Sequence, residues 1–212
     1  MSLQIPLLLF AKAPVASKVK TRLQPQCSAE QSADIAKILL QETLRKATQF
    51  WPGKVYLSVW PDQQNEFLQR MADLYTVELI TQDSGDLGEK MYLAFERYGY
   101  PAAIIGCDAP HIDPLTFVQA YKYLSKGKNV IAAAEDGGYY FIGLAQPAAE
   151  LFANIEWGQD EVLTQTMHRA QQQAVDFVQL KTLNDIDVWQ DVIGAVKKLP
   201  ALQVYLQQQN LI

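Results

Sequence analysis

Apolar residues along this chain gather in short unbroken runs separated by longer stretches in which they recur every three or four positions. Ile5 to Ala11 (IPLLLFA), Lys54 to Trp60 (KVYLSVW), Ala102 to Gly106 (AAIIG) and Asn129 to Ala134 (NVIAAA) are runs of strand length. An uninterrupted run of that length is the pattern of a strand covered on both faces. Between the first two runs, Ala36, Leu39, Leu40, Thr43, Leu44 and Ala47 repeat with helical period after Ser28 and Gln31, which have capping-box spacing. The same reasoning predicts helices over Glu66 to Met71, Glu89 to Tyr98, Pro114 to about Ser125 behind an Asp113 cap, and Gln159 to Gln173. Shorter strands are expected at Val77 to Ile80, near a sheet edge, at Tyr139 to Leu144 and at Val175 to Leu180. A short helix is expected over Ala149 to Phe152, a terminal helical region from Asp187 to Lys198, and a last helix from Leu202 to Gln209.

Alternation of strands and helices predicts an α/β domain, and 212 residues suit one core, so a single domain over 1–212 is expected. Only the turn Glu135-Asp136-Gly137-Gly138 separates the strand at Asn129 from the strand at Tyr139. A parallel return needs a crossover, so these two strands should run antiparallel or diverge at a bend, and a mixed sheet is expected.

The charge balance narrows the function. With 18 Lys and Arg against 23 Asp and Glu, the formal charge is -5, which argues against nucleic acid as a partner. Cys27 and Cys107 stand far apart, without the spacing of a metal knuckle or a disulfide framework. Ile5 to Ala11 is too short to span a membrane, and a cytoplasmic address is expected.

The candidate chemistry is centred on Asp108, presented just beyond the run Ala102 to Gly106. Open α/β sheets bind ligands at the carboxyl ends of their strands. A carboxylate there calls for a cationic partner, and Asp108 could bind a divalent metal or accept a hydrogen bond from a helix start. The loop after the first strand carries Lys12, Lys18, Lys20 and Arg22, which suit phosphates, although an ordinary basic surface loop would look the same. It lacks the glycines of a P-loop or a dinucleotide fingerprint.

Asp86, between Gly85 and Leu87 with Gly88 behind it, could line a ligand cleft or simply cap the next helix. Asp136 with Gly137 and Gly138 could face a sugar or only make a turn. Asp185 and Asp187 could supply a second metal carboxylate if their loop folds back to the strand ends, but capping the last helix is the default for Asp187. The Trp157-Gly158-Gln159 loop could cover an acceptor, and His111 reads as a surface or capping residue rather than a base.

Five segments in this order, FAKAPVASKVKTRL, DSGDLGEKM, IIGCDAP, EDGGYYFIGL and LNDIDVWQD, resemble a bacterial glycosyltransferase-like family formerly grouped as a domain of unknown function, which includes arsenosugar-biosynthesis-type members. The resemblance runs from Leu8 to about Leu199. That family is similar to nucleotide-diphosphate-sugar transferases and to the molybdenum cofactor and phospholactate guanylyltransferases. The resemblance implies a Rossmann-like three-layer sandwich of the nucleotide-diphospho-sugar transferase type, with a mixed, mostly parallel sheet. It places a nucleotide along Phe10, Ala11 and Lys12, with phosphates near Lys20, Thr21 and Arg22. Asp86 and Gly88 would line the same cleft, and Asp136, Gly137 and Gly138 would face the sugar or acceptor. Asp108 would hold Mg2+ or Mn2+.

Two departures stand out. Ala16 or Ser17 stands where the family resemblance puts the usual first-loop glycine, and Gly106 where many sugar transferases have the first carboxylate of the DxD motif. The expected activity is transfer of a glycosyl group from a nucleotide sugar to a small-molecule acceptor, with Lys20, Arg22 and Asp108 stabilising the leaving group and Asp136 as base. One alternative is nucleotidyl transfer from a nucleoside triphosphate, releasing pyrophosphate. Another is nucleotide binding without catalysis.

Overall fold

The computed structural model describes residues 4–212. Seven strands form one sheet: β1 (Leu7–Lys12), β2 (Val55–Trp60), β3 (Glu78–Thr81), β4 (Ala102–Ile105), β5 (Asn129–Ala133), β6 (Tyr139–Leu144) and β7 (Phe177–Gln179). Their spatial order is β3-β2-β1-β4-β6-β5-β7. β1, β2, β3 and β4 are mutually parallel, β6 runs antiparallel to both β4 and β5, and β7 is parallel to β5. The antiparallel β5–β6 pair follows from the short turn, as the sequence predicts, and β3 lies at the sheet edge.

The helices are α1 (Ala29–Phe50), α2 (Glu66–Tyr75), α3 (Leu87–Tyr98), α4 (Pro114–Leu124), α5 (Val162–Gln172), α6 (Trp189–Ala195) and α7 (Pro200–Gln208). Pleating explains why the central strands are unbroken apolar runs. Leu7, Leu9 and Ala11 of β1 and Ala103 and Ile105 of β4 point to one face, where they pack with Leu40 and Leu44 of α1, Leu68 of α2 and Phe117 of α4. Leu8, Ala102 and Ile104 point to the other face, against Met91 and Phe95 of α3 and Ala170 of α5. A third cluster lies outside the sheet. Ile35 and Leu39 of α1 pack there with Leu202 and Leu206 of α7, Val192 of α6, Leu23 of the first loop and Ile186. This outer layer ties the end of the chain to the loop that follows β1.

Several boundaries differ from the sequence reading. α2 continues beyond Met71 to Tyr75 because Leu68, Met71 and Ala72 share its buried stripe, and it stops where Thr76 turns left-handed at φ 53°. α5 begins at Val162 because residues 159–161 are spent on a turn, and the Leu163 N–H donates to Gly137 O at 2.8 Å. Ala149–Phe152 is a single 3-10 turn. Asp187 does not cap α6. Its own N–H and that of Val188 both donate to Asp191 Oδ2, at 3.0 and 2.9 Å, so a carboxylate in the first turn reaches back to do the capping.

Candidate functional site

β1 leads to β2 on one side, whereas β4 lies on its other side, so the sheet order reverses between β1 and β4. At such a switch point the loops diverge and leave a crevice at the strand ends. Here the crevice has two adjoining lobes of about 450 and 800 Å³, which share Phe10, Lys20, Leu87, Gly106, Asp108 and Asp187.

The first-strand loop is anchored by Leu23, fully buried in the outer cluster. Two of its residues, Ser17 at φ 63° and Lys20 at φ 47°, take the left-handed conformation that side chains disfavour. Ser17 thus adopts a backbone conformation that glycine takes without strain. Lys20 uses the bend to turn inward, and its side chain is only 7% exposed. Lys20 Nζ lies 2.7 Å from Asp108 Oδ1 and 3.6 Å from Asp187 Oδ1, and donates to Ile186 O at 2.6 Å. Burial disfavours the ammonium, but the charge and hydrogen bond of Asp108, followed by Asp187, outweigh it and hold the Lys20 pKa above its usual value. The cation facing Asp108 is therefore Lys20.

The loop that carries Asp108 is held at two places. The Asp108 carbonyl accepts from Ile186 N at 2.8 Å, so the LNDID segment folds back to the strand ends. At the other, Lys46 of α1 donates to Pro110 O at 2.8 Å and Ile112 O at 3.2 Å. Arg22 Nη1 pairs with Asp187 Oδ2 at 2.7 Å, but its side chain is 69% exposed and free to turn toward a ligand. Asp185 sits deeper, and its Oδ1 is buried without a hydrogen-bond partner. Burial, then the neighbouring Asp108 and Asp136, push its pKa up to about 7. An orphaned carboxylate oxygen beside Asp108 suits a hard cation. Among the described residues, no three His, Cys, Asp or Glu side chains converge closely enough to hold a metal by themselves.

The smaller lobe is lysine-rich, with Lys12, Lys18 and Lys90 beside Lys20 and with Phe10 and Trp60 as aromatic walls. Lys90 Nζ lies 3.7 Å from the centre of the Trp60 ring. The larger lobe is lined by Thr21, Arg22 and Asp136 together with Trp157 and Tyr139. Asp136 is exposed, and its Oδ1 accepts from Gly138 N at 3.0 Å, so the turn and the cleft wall coincide.

The remaining candidates fall elsewhere. Asp86 lines neither lobe. It is the N-cap of α3, in a reciprocal capping box where Glu89 N donates to Asp86 Oδ1 and Asp86 N to Glu89 Oε2, both at 2.9 Å. Gly88 is buried beneath Trp157, where a Cβ would come within 2.7 Å of the indole, so its close approach is to protein. Gly137 likewise lies against Asp160, whose carbonyl oxygen would be 1.7 Å from a Cβ. His111 is outside the cleft. Burial, followed by the charges of Lys198, Lys46 and Lys181, lowers its pKa to about 4.

Lys90, Trp60 and Gln82 line the smaller lobe but escaped the sequence reading. Trp60 ends β2, and Gln82 directly follows β3, so the rule that ligands meet parallel strands at their carboxyl ends contained the signal.

In comparison with solved structures, the fold matches a candidate nucleotide-diphospho-sugar transferase from Desulfovibrio desulfuricans G20 with TM-score 0.85 at 22% identity, covering 98% of this chain and 96% of that one. Rv0371c from Mycobacterium tuberculosis H37Rv, in complex with manganese, matches with TM-score 0.58 at 14% identity, covering 94% of this chain and 100% of the other. A cytidylyltransferase from Leptospira borgpetersenii matches with TM-score 0.58 at 12% identity, covering 99% and 97%. At these identities the likeness establishes the fold, which is that of the nucleotide-diphospho-sugar transferases. No curated protein matches the chain by sequence. Residues 43–159 match the family model described as "Uncharacterized protein conserved in bacteria (DUF2064)", and the chain belongs to that family.

Proposed function

We propose that this protein is an enzyme that transfers a glycosyl group from a nucleoside-diphosphate sugar to the hydroxyl of a small acceptor, with residues 1–212 acting as one domain in a reducing, cytoplasmic setting. The observation that carries the reading is the Lys20–Asp108 pair at the switch point of the sheet, between a lysine-rich lobe and a carboxylate-rich lobe. The nucleotide lies along Phe10, Ala11 and Lys12, and its phosphates reach toward Lys20, Thr21 and Arg22. Asp108 and Asp185 would hold Mg2+ or Mn2+, a choice supported by the orphaned Asp185 oxygen and by the manganese complex of a structural relative. When bound, the ion would neutralise charge on the leaving diphosphate.

The acceptor oxygen forms a bond to the anomeric carbon as the bond from that carbon to the diphosphate oxygen breaks. The nucleoside diphosphate departs with the electron pair, and Lys20 and Arg22 meet the charge as it develops. The acceptor proton passes to Asp136, a carboxylate exposed on the wall of the larger lobe. Asp86 caps α3, Gly88 packs under Trp157 and Gly137 against Asp160, so these three shape the walls rather than touch the substrate. Gly138 belongs to its wall.

Nucleotidyl transfer is a second reading. Lys12, Lys18 and Lys90 form no ion pair with a carboxylate among the described residues, and such free cations also suit a triphosphate. Cytidylyltransferases share the fold.

Thermal shift against nucleoside diphosphates, triphosphates and nucleotide sugars, with and without manganese, tests the proposal, since ligands that bind only the folded state raise its apparent stability. A manganese-dependent shift with a nucleotide sugar that disappears in Asp108→Asn is the expected result. Product analysis then separates the readings, because glycosyl transfer releases nucleoside diphosphate and nucleotidyl transfer releases pyrophosphate. A shift indifferent to Asp108→Asn would remove the proposed centre.

A further inference from the structure

The larger lobe is chemically lopsided. Five aspartates line it, Asp108, Asp136, Asp160, Asp185 and Asp187, against two bases, Lys20 and Arg22. Both bases are already paired, Lys20 with Asp108 and Arg22 with Asp187. Among the described residues, Asp136 and Asp160 line the lobe without an ion pair, and Asp185 is the carboxylate left to the proposed metal. Asp160 is exposed on the rim, and Asp185 presents a buried oxygen that no donor reaches.

The lining has a second character. Leu87, Met91, Tyr139, Trp157 and Val162 form an apolar surface, with the Tyr139 and Trp157 rings edge to face at 6.5 Å. Such a surface offers an aromatic edge and face to the C–H side of a ring, while the carboxylates accept hydrogen bonds from hydroxyl or ammonium groups.

We infer that the acceptor is an uncharged or cationic hydroxyl compound with a ring or other apolar body, and that the larger lobe rejects phosphorylated acceptors. This rests on the transferase reading above and deepens it by naming the acceptor class. The physical ground is asymmetric. A neutral ring gains the apolar wall and the carboxylate acceptors, whereas a phosphate dianion gains little from the apolar wall and meets the like charge of Asp136 and Asp160, which water screens in part. The smaller lobe has the opposite sign, and the nucleotide phosphates lie where the two lobes meet, against Lys20 and Arg22.

The test uses a matched pair of probes, phenyl β-D-glucoside and its 6-phosphate. Binding is followed at the indole N–H resonance of Trp157, assigned with Trp157→Phe, so that phosphate captured by the lysine lobe is not counted. The neutral probe is expected to move this resonance in the millimolar range, and the 6-phosphate to bind there at least about tenfold more weakly. In the double variant Asp136→Asn/Asp160→Asn, which keeps the acceptor oxygen of the turn, the ratio should fall to within about threefold. Equal or tighter binding of the 6-phosphate by the wild type overturns the inference. So does a ratio unchanged in the double variant, or a Trp157 signal that the neutral probe fails to move at about 20 mM. Failure here with an intact Asp108-dependent nucleotide shift leaves the transferase reading standing, whereas loss of that shift removes the reading by a separate measurement.

Discussion

Lys20 and Asp108 reach each other from the ends of two adjacent parallel strands and meet at 2.7 Å, with the ammonium almost wholly buried and the carboxylate half exposed. One lysine thus neutralises the carboxylate expected to face the ligand, and the same loop supplies Arg22. Any cation that binds Asp108 must compete with this ammonium.

Lys20→Met is therefore expected to act in two directions. It leaves Asp108 and Asp187 without their buried partner and should cost about 1–3 kcal/mol in urea unfolding, toward the lower end because Asp108 is open to water. Isothermal titration should show Mn2+ alone binding more tightly than to the wild type, and nucleoside diphosphate more weakly. Unchanged Mn2+ affinity would mean that the ammonium does not guard the site.

Arg22→Ala separates binding from stability. Its pair with Asp187 is exposed, so unfolding free energy should change by less than about 1 kcal/mol. Affinity for a nucleoside diphosphate should still fall severalfold. A loss of stability as large as that of Lys20→Met would contradict the exposed geometry.

Asp185→Asn removes a buried charge that has no hydrogen-bond partner on Oδ1. At pH 8 and without divalent cations, the variant should be more stable than the wild type by about 1–3 kcal/mol. Added Mn2+ should stabilise the wild type and leave the variant nearly unmoved, as followed by melting temperature.

Acid sensitivity is expected from His111. Its folded pKa of about 4 lies below the ordinary value, so the unfolded chain takes up the proton first as pH falls. The stability associated with neutral His111 is complete above pH about 6.5 and declines toward pH about 4; because the ring is only half-buried, solvent screening should hold the loss between pH 7 and 5 to about 1 kcal/mol. The charges around it are Lys46 on α1, Lys181 beyond β7 and Lys198 beyond α6, all of one sign. Urea midpoints of wild type and His111→Gln at pH 7 and 5 measure the difference, and parallel curves would remove His111 as its source.

The three glycines Gly137, Gly88 and Gly138 should rank by crowding. Gly137→Ala places a Cβ 1.7 Å from Asp160 O at φ +92° and should be the most damaging, beyond about 3 kcal/mol. Gly88→Ala drives into Trp157 and should cost about 1–3 kcal/mol with an altered near-UV spectrum. Gly138→Ala meets only Asp136 Oδ1 at 3.3 Å and should be mildest.

Legibility varied with the range of the interaction. The Ser28–Gln31 capping box, the Asp113 cap before Pro114 and the antiparallel β5–β6 return were readable because each is settled within a few residues. Asp86 carried two readings, and the local one, a capping box with Glu89, is what forms. For Asp187 the local default failed, because Asp191 reached the same amides from inside the helix and left Asp187 to Lys20 and Arg22.

What the sequence by itself determined is the alternation of covered strands and amphipathic helices, and the placing of Asp108 and the basic loop at strand ends, since period and turn chemistry are properties of neighbouring residues. Only the tertiary structure decided that Lys20 would be buried against Asp108, that Asp185 would be left with an unpaired oxygen, and that Gly88 and Gly137 would serve packing. These outcomes depend on which distant backbone segments the sheet order and the packing of α6 and α7 on α1 bring together, and no local pattern encodes that meeting.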